Sequence, residues 1–380
     1  MSEKLPRRNF ISKFTLALTA AMTASSEGFS NSFKKAYNLN TTSMNPILNI
    51  KPLGFQWDTL DPFLFCVHHE DKFPQGNDAM GPAQDYLKGR HMGDDFIIKD
   101  GFRMYHGKVV PGFPGHPHRG FETVTVVRQG IVDHADSLGA SGRYGDGDVQ
   151  WMTAGKGVQH SEMFPLISKE KENPMELFQI WLNLPKKNKM VEPHFKMLWR
   201  DSIPRYVHTN DNKKTTVEVI AGKIENTKAP SPPPDSWASP EQNEVAIWNI
   251  KMQAGAKWIL PKASEGVNRM VYFYEGDNLN LAGTKITKYN AIEVKSNIEI
   301  ALEATTETSI LVLQGKPIGE QVMQYGPFVM NTKEEINQAF EDYHKTQFGG
   351  WPWPKYDQVH ARDKSRFAKH ADGKEEIKTS

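Results

Sequence analysis

The sequence has 380 residues and a formal net charge of +1, from 46 basic and 45 acidic side chains. This length can hold two domains of ordinary size, and 38% hydrophobic residues suffice for packed cores. The balanced charge argues against a nucleic-acid-binding or membrane-surface protein, which would carry a basic excess or a basic stripe. A single cysteine, Cys66, excludes an internal disulfide and a cysteine-based metal cluster. Frequent Gly and Pro, with short runs of Val, Ile and Thr, favour strands and turns over long helices.

Residues 1–26 are predicted to be an export signal. The segment Pro6–Lys13 resembles a twin-arginine motif, and the mildly apolar run Phe14–Ala24 that follows is too short for a permanent transmembrane helix. The alternative interpretation is a short basic arm that is amphipathic or disordered. The signal predicts a periplasmic protein that meets the membrane only during export. Residues 27–46, rich in Ser, Thr and Asn, are predicted to be a flexible spacer.

Residues 47–200 are predicted to form a first domain built from strands. An opening strand and turn surround Asp61, and a polar, glycine-rich stretch over residues 72–93 is predicted to be a surface loop. Three histidines in or beside this loop are interpreted as surface residues: His68, His69 and His91. Period-two patterns and apolar runs then predict strands at Thr123–Arg128, Val149–Thr153 and Phe178–Leu184.

Two short segments of this domain carry residues with metal-ligand spacing. Successive side chains of an extended strand point to opposite faces, so His116 and His118 share a face, and so do His160 and Glu162. If the two segments lie on facing strands, three imidazoles and one carboxylate surround a single point. A His-x-His pair alone is more often a surface or hydrogen-bonded pair. The second pair in the same strand-rich region favours the metal site.

The predicted donor set suits a divalent transition metal. Imidazole nitrogen and carboxylate oxygen suit iron, copper, nickel, manganese or zinc, whereas calcium prefers oxygen ligands. Four protein ligands around an octahedral ion leave two positions for water, dioxygen or a substrate oxygen. Glu122 competes with Glu162 for the carboxylate role, but it lies about 13 Å from His118 along a straight strand, so it reaches the site only if the chain bends at Gly120. His134, flanked by two aspartates, is interpreted either as a residue that orients a ligand or contacts substrate, or as a turn residue.

Residues 201–330 are predicted to form a second domain of short strands. These strands are predicted at Thr216–Ile220, Val245–Ile250, Met270–Tyr274, Ala291–Val294 and Ser309–Leu313. No histidine occurs between His208 and His344. With His208 as its only histidine, this domain cannot repeat a three-histidine site, so the metal is predicted to belong to the first domain.

The chain is predicted to end in a helix, a docking segment and a tail. Residues 331–360 contain the clearest helix, Thr332–Lys345, because a capping residue and two acidic residues open it and apolar residues follow at helical spacing. The aromatic segment around Trp351 and Trp353 is predicted to dock on the body of the protein. Residues 361–380 carry charges of mixed sign and are predicted to be disordered.

Several motifs together closely resemble the pirin family of the cupin superfamily. They are HPHRGFETVT (116–125), DHADSLGA (133–140), GDVQWMTAG (147–155), HSEM (160–163) and YGPFVMNT (325–332). By this resemblance the fold is all-β, with two tandem cupin-type β-barrels and a C-terminal helix. The resemblance also implies a metal in the first barrel only, held at the positions that correspond to His116, His118, His160 and Glu162.

The sequence and the resemblance lead to the hypothesis of a mononuclear metal oxygenase. Fe(II) is the expected metal, with copper, nickel, manganese and zinc as alternatives, and the expected partners are dioxygen and a small aromatic or enolic substrate. Glu162 would accept the proton of a substrate hydroxyl group while the three histidines hold the metal. Pirins resemble quercetin 2,3-dioxygenases, so the resemblance implies flavonol-like substrates. The alternative is a non-catalytic, metal-dependent module that senses redox state or binds a partner. The sequence leaves the oligomeric state open, and a monomer is one of the alternatives.

Overall fold

The computed structural model describes residues 31–38 and 45–378. The export signal predicted over residues 1–26 lies outside the described residues and stays a prediction. Residues 31–38 form a helix, so the flexible spacer predicted here is wrong for this stretch. Phe33 and Ala36 are buried, because a spacing of three residues places them on one face of the helix.

Strands dominate the described residues, as predicted. In the first part of the chain they are β1 (Ile47–Pro52), β2 (Gln56–Trp57), β3 (Phe63–Phe73), β4 (Gly112–His118), β5 (Phe121–Gln129), β6 (Ile131–Asp136), β7 (Ser141–Gly145), β8 (Val149–Thr153), β9 (Val158–Met163), β10 (Asn173–Asn183), β11 (His194–Leu198) and β12 (Arg205–Asn210). In the second part they are β13 (Lys213–Ala221), β14 (Lys223–Ile224), β15 (Thr227–Lys228), β16 (Ala246–Met252), β17 (Lys257–Leu260), β18 (Asn268–Glu275), β19 (Asn278–Leu281), β20 (Thr284–Thr287), β21 (Asn290–Val294), β22 (Ile300–Ala304), β23 (Thr308–Gly315), β24 (Met323–Tyr325), β25 (Phe328–Met330), β26 (Arg366–Lys369) and β27 (Glu375–Lys378). The α-helices are α1 (31–38), α2 (Gln84–Leu87) and α3 (Lys333–Thr346). None of the helices in the described ranges combines the length and the apolar character that crossing a bilayer requires.

The chain divides into two compact units that differ from the contiguous domains predicted at 47–200 and 201–330. The larger unit comprises Leu53–Pro204, Val219–Ile247 and the chain from Leu313 onward. The smaller unit comprises Arg205–Glu218, Trp248–Val312 and the described residues before Leu53. Each unit therefore draws on separate parts of the sequence.

Two six-stranded sheets form the barrel of the larger unit. Their strand orders are β11-β8-β5-β10-β3-β2 and β27-β26-β7-β6-β9-β4. Inward-pointing side chains of both sheets meet in an apolar cluster that includes Phe73, Tyr144 and Met152, all almost inaccessible to solvent. Because side chains alternate along each strand, every second residue of these strands faces the barrel interior.

The smaller unit is built on a seven-stranded sheet, β1-β21-β18-β23-β16-β13-β12, and a four-stranded sheet, β17-β22-β19-β20. The five strands predicted in this part of the sequence occur as β13, β16, β18, β21 and β23. The predicted fold class is confirmed: the protein is all-β, with two cupin-type barrels and a C-terminal helix.

Helix α3 begins where its capping residue predicts. Thr332 accepts a hydrogen bond from Glu335 N at 3.2 Å, and Glu335 Oε2 accepts one from Thr332 N at 3.2 Å, which forms a capping box. Ile336 and Ala339 are buried and pack against Phe328. The predicted helix is therefore confirmed, and its apolar face packs on the larger unit.

The disorder predicted over 361–380 is wrong for residues up to 378. Strand β26 pairs antiparallel with β7, and β27 pairs with β26, so the tail extends one six-stranded sheet. Arg366 binds both oxygens of Asp148, at 2.7 and 2.8 Å, and Phe367 is buried. These contacts join residues far apart in sequence, so the local mixture of charges does not reveal them.

The substitution Thr332→Ala removes the side chain that caps α3. We expect the free energy of unfolding to fall by about 1 kcal/mol in urea denaturation, because Glu335 N loses its acceptor. Thr332→Ser keeps the hydroxyl group and should stay within about 0.3 kcal/mol of the unchanged protein. Equal losses in the two variants would contradict the capping role.

Candidate metal centre

The pairing of β4 with β9 brings the two predicted ligand segments together. The strands are antiparallel, and His116 lies directly opposite His160 in the ladder. Residues opposite each other in such a ladder share a face of the sheet. His118 is two residues from His116 and shares this face too. The three imidazoles therefore project from one face into the barrel.

The three imidazole rings converge. Ring centroids are 4.5 Å apart for His116 and His160, 4.8 Å for His116 and His118, and 5.0 Å for His118 and His160. One nitrogen of each ring lies within 4.8 Å of the others. Ring rotation can close this spacing around an ion about 2.1 Å from each nitrogen. Within residues 31–38 and 45–378, no other group of three His, Cys, Asp or Glu residues comes together in this way.

A bulge in β4 decides which side chain lies beside the ligands. Strand β4 has one residue more between Phe113 and His116 than β9 has between Glu162 and His160, so Phe113 lies opposite Glu162. The Phe113 ring is 6.3 Å from the His116 ring. The bulge therefore places an aromatic ring on the inner face of the barrel, next to His116.

The C-terminal segment covers the outer edge of β4. This strand is the last in its sheet, a position that suits its two prolines, and Gly115 N donates to Tyr356 O at 2.8 Å. A Cβ at residue 115 would lie 2.4 Å from the Tyr356 ring, so glycine alone allows this close contact. Trp353 Nε1 donates to Asp136 O at 2.7 Å, which confirms that the aromatic segment docks on the body of the protein.

The hydrogen bonds of the three rings leave nitrogen atoms available for a metal. His116 Nδ1 lies 2.9 Å from the carbonyl oxygen of Pro114 and must donate to it, so Nε2 carries the lone pair. His118 Nδ1 and both nitrogens of His160 are buried and have no hydrogen-bond partner in the described part of the chain. Buried polar atoms without partners are costly, and a metal ion would satisfy one nitrogen of each ring. The residues present therefore fit a transition metal.

Burial keeps these imidazoles neutral. It lowers the pKa of His116 to about 4, and it lowers the pKa of His118 and of His160 well below the ordinary value of 6.5. Neighbouring imidazoles act in the same direction on His118 and His160. A neutral imidazole offers its lone pair, so no proton has to leave before a metal binds.

Glu162 lies beside the histidines in a ring of hydrogen-bonding groups. Its Oε2 is 3.8 Å from His160 Nε2 and accepts a hydrogen bond from Gln179 Nε2 at 3.0 Å. Thr125 Oγ1 is 2.9 Å from Glu162 Oε1 and 2.6 Å from Gln179 Oε1. Burial raises the pKa of Glu162 above its ordinary value of 4.5. The carboxyl group is thus next to the point on which the imidazoles converge.

Glu122 is turned away from this point. The chain does bend at Gly120 (φ +86°), where it passes from β4 in one sheet to β5 in the other. Thr125 of β5 points into the barrel, and Glu122, three residues away, points to the opposite face. Its two oxygens accept hydrogen bonds from Thr153 Oγ1 at 2.7 Å and Ser236 Oγ at 2.5 Å. The bend on which the alternative ligand depended is present but does not bring Glu122 to the site.

His134 lies in strand β6, directly opposite Glu162, and not in a turn. Its ring is 5.6 Å from the His160 ring, and its Nε2 is 3.2 Å from Asp136 Oδ2. The other oxygen of Asp136 accepts two backbone N–H groups, which fixes the carboxylate. The interpretation of His134 as a turn residue is therefore wrong, and the residue borders the three convergent histidines.

Side chains that the sequence reasoning did not assign to the site also lie here. The Trp181 ring is 5.2 Å from the His118 ring and 4.0 Å from the Phe121 ring. Thr125 and Gln179 hydrogen-bond Glu162. Period-two alternation could have identified both, because Thr125 shares the inner face of β5 with Phe121, and Gln179 shares that of β10 with Trp181.

Comparison with known proteins identifies the family. The pirin family model matches residues 82–182, and the model of the pirin C-terminal cupin domain matches residues 247–349. The chain is 36% identical to a pirin-like protein of Caulobacter vibrioides over 258 residues, which cover 68% of this chain and 88% of the relative. This chain belongs to the pirin family. The first matched segment of this pirin contains all four residues predicted as ligands.

Two further likenesses agree with this membership. This pirin is 33% identical to pirin of Homo sapiens over 262 residues, which cover 67% of this chain and 83% of the human protein. It is also similar to the crystal structure of a quercetin 2,3-dioxygenase from Acinetobacter baumannii, with 28% identity and a TM-score of 0.62. That likeness covers 80% of this chain and 98% of the other.

The substitutions His116→Ala and His160→Ala each remove one convergent nitrogen. We expect the Fe(II) content of the purified, anaerobically loaded protein to fall from one ion per chain to near zero, because a site with two imidazoles binds far more weakly. His91→Ala, at an exposed histidine, should leave the content unchanged. Metal content that survives both site substitutions, measured by inductively coupled plasma mass spectrometry, would contradict the assignment.

The substitution Glu122→Gln separates the buried carboxyl group from the metal site. Burial raises the pKa of Glu122 to about 7, so between about pH 4.5 and 7 this group ionises in the unfolded chain but keeps its proton in the fold, and the metal-free protein loses stability as the pH rises. Glutamine cannot ionise, so the unfolding free energy of the variant relative to the unchanged protein should rise by about 3 kcal/mol over this pH range.

Glu170→Gln, at an exposed carboxylate, serves as the control for this pH series and should show no such rise. The metal content of Glu122→Gln should equal that of the unchanged protein, because Glu122 faces away from the imidazoles. If the difference in unfolding free energy between Glu122→Gln and the unchanged protein stays constant across this pH range, the pKa of Glu122 is not raised. Loss of metal from the Glu122→Gln variant would indicate that Glu122 is a metal ligand.

Proposed function

We propose that this pirin is a mononuclear, Fe(II)-dependent dioxygenase that cleaves flavonols or related hydroxylated aromatic compounds. The observation that carries the proposal is the convergence of three neutral imidazoles, two buried and one half-buried, beside a buried carboxyl group. The similarity to a structure described as a quercetin 2,3-dioxygenase supports the substrate class. His116, His118 and His160 would hold the metal, with Glu162 as the fourth ligand.

The site is reached from the side of His116. His116 and Phe113 are half-buried, whereas His118 and His160 are buried. When bound, Fe(II) would supply positions for dioxygen and a substrate oxygen and would mediate electron transfer between them.

Aromatic rings border the ligands on two sides. Trp181 lies 5.2 Å from His118 and 4.2 Å from Phe65, and Phe113 lies 6.3 Å from His116, all measured between ring centroids. Flat apolar walls of this kind can stack on an aromatic ring and exclude water from it. The walls therefore favour an aromatic substrate over a small aliphatic one.

The hydrogen-bonding ring around Glu162 suits a proton acceptor. Thr125 has one hydroxyl proton but faces two acceptors, Glu162 Oε1 and Gln179 Oε1. If Glu162 is ionised, one of these two contacts lacks a proton. If Oε1 is protonated it donates to Thr125, Thr125 donates to Gln179, and Gln179 donates back to Glu162 Oε2, so every contact is satisfied. The ring can therefore hold a proton on Glu162, as required of a carboxylate that accepts one from a substrate hydroxyl group during turnover.

The test is dioxygen consumption by Fe(II)-loaded protein given quercetin and a panel of catechols. We expect dioxygen uptake equimolar with quercetin loss, and a decrease of about 100-fold or more in kcat for Glu162→Gln, which keeps the size but not the proton affinity. Glu170→Gln should retain full activity. Bound metal without turnover on any member of the panel would contradict the enzyme and favour the metal-dependent sensor.

A further inference from the structure

A second buried polar chain lies in the larger unit, separate from the metal ligands. His69 Nδ1 is 2.8 Å from Tyr105 Oη, and Tyr105 Oη is 2.5 Å from Asp71 Oδ2. Asp71 Oδ1 accepts hydrogen bonds from Arg103 N at 2.8 Å and Arg103 Nε at 3.1 Å. All four residues are at least 95% buried. His69 was predicted to lie at the surface, and that prediction is wrong.

The direction of these hydrogen bonds follows from their donors. The Arg103 guanidinium can only donate, and a buried cation requires a charged partner, so Asp71 accepts as a carboxylate. Tyr105 therefore gives its single proton to Asp71. Toward His69 the Tyr105 oxygen can then only accept, so His69 Nδ1 carries the proton and Nε2 carries a lone pair.

His69 faces the same interior as the metal ligands. In the pairing of β3 with β10, His69 lies opposite Leu177, and Val67 lies opposite Gln179. Gln179 hydrogen-bonds Glu162, so this row of β3 and β10 points into the barrel. His68, the next residue along β3, points to the other face, where it contacts Glu176 at 3.1 Å.

One aromatic ring separates His69 from the ligand His116. Ring centroids are 5.9 Å apart for His69 and Phe113, and 6.3 Å for Phe113 and His116. The two steps limit the distance between the histidine rings to about 12 Å. A three-ring flavonol is long enough to span a separation within this limit.

His69 Nε2 makes no hydrogen bond within the described part of the chain. The lone pair on Nε2 can therefore accept a hydrogen bond from a ligand that brings an O–H or N–H group. Burial lowers the pKa of His69 to about 3, so the ring stays neutral at any physiological pH. Such an imidazole is a weak base but a permanent hydrogen-bond acceptor.

We infer that His69 is a specificity-determining residue whose Nε2 accepts a hydrogen bond from a second hydroxyl group of the substrate, remote from the metal-bound oxygen. The inference rests on the proposed function and deepens it, because it selects polyhydroxylated aromatic compounds over compounds that carry the chelating hydroxyl group alone. Tyr105 is a positioning residue: its oxygen holds the Nδ1 proton and leaves Nε2 free to accept.

The test compares two ligands under anaerobic conditions, so that binding is measured without turnover. Quercetin carries several hydroxyl groups, whereas 3-hydroxyflavone carries only the chelating one. In titrations of the Fe(II)-loaded protein, we expect His69→Phe to weaken quercetin binding by about fivefold to tenfold and to leave 3-hydroxyflavone binding unchanged. His68→Phe, on the opposite face of β3, should change neither affinity.

A second variant and a spectroscopic measurement distinguish a role of His69 in specificity from a folding defect of the His69→Phe variant. Tyr105→Phe keeps His69 and should also lose part of the preference for quercetin. In the unchanged protein, the 15N NMR spectrum of His69 should show a protonated Nδ1 and an unprotonated Nε2, whether or not a ligand binds. The opposite tautomer would overturn the inference.

The outcomes separate this inference from the function on which it rests. If the unchanged protein binds both flavonols and His69→Phe weakens both equally or neither, His69 has no role in specificity while the proposed function stands. If the loaded protein binds no flavonol or catechol at all, the proposed function fails and the inference fails with it.

Discussion

The cross-strand pairing of His116 with His160 is the constraint on which the site depends. Strand β9 lies between β6 and β4, so its register is held on both sides, and the backbone of His160 cannot shift without breaking two ladders. Strand β4 is at the edge, where a bulge, two prolines and the covering C-terminal segment fix its position. The site is thus built on strands whose positions are determined by backbone hydrogen bonds.

Much of this arrangement could be predicted from the sequence, because side-chain alternation in strands is strict. A His-x-His pair and a His-x-Glu pair can each present both members to one face only if the backbone is extended. The absence of histidine between residues 208 and 344 likewise restricted the site to one part of the chain. Helix α3 was predictable because Thr332 and Glu335 satisfy its first N–H groups locally.

What sequence reasoning missed depends on contacts between distant residues. His69 sits beside a polar, glycine-rich stretch, and only the register of β3 against β10 shows that it faces inward. Whether Glu122 reaches the histidines depends on which sheet the chain enters after Gly120. A distance calculated along a straight strand does not contain this information. The tail has a local composition typical of disorder, yet the buried pair of Arg366 and Asp148 anchors it across 218 positions of sequence.

The most direct test of the central claim is anomalous diffraction from crystals loaded with Fe(II) under anaerobic conditions. We expect one strong peak per chain between the three rings, about 2.1 Å from His116 Nε2 and from one nitrogen each of His118 and His160, with a Glu162 oxygen at a similar distance. A peak elsewhere in the protein, or no ordered peak in crystals of loaded protein, would contradict it.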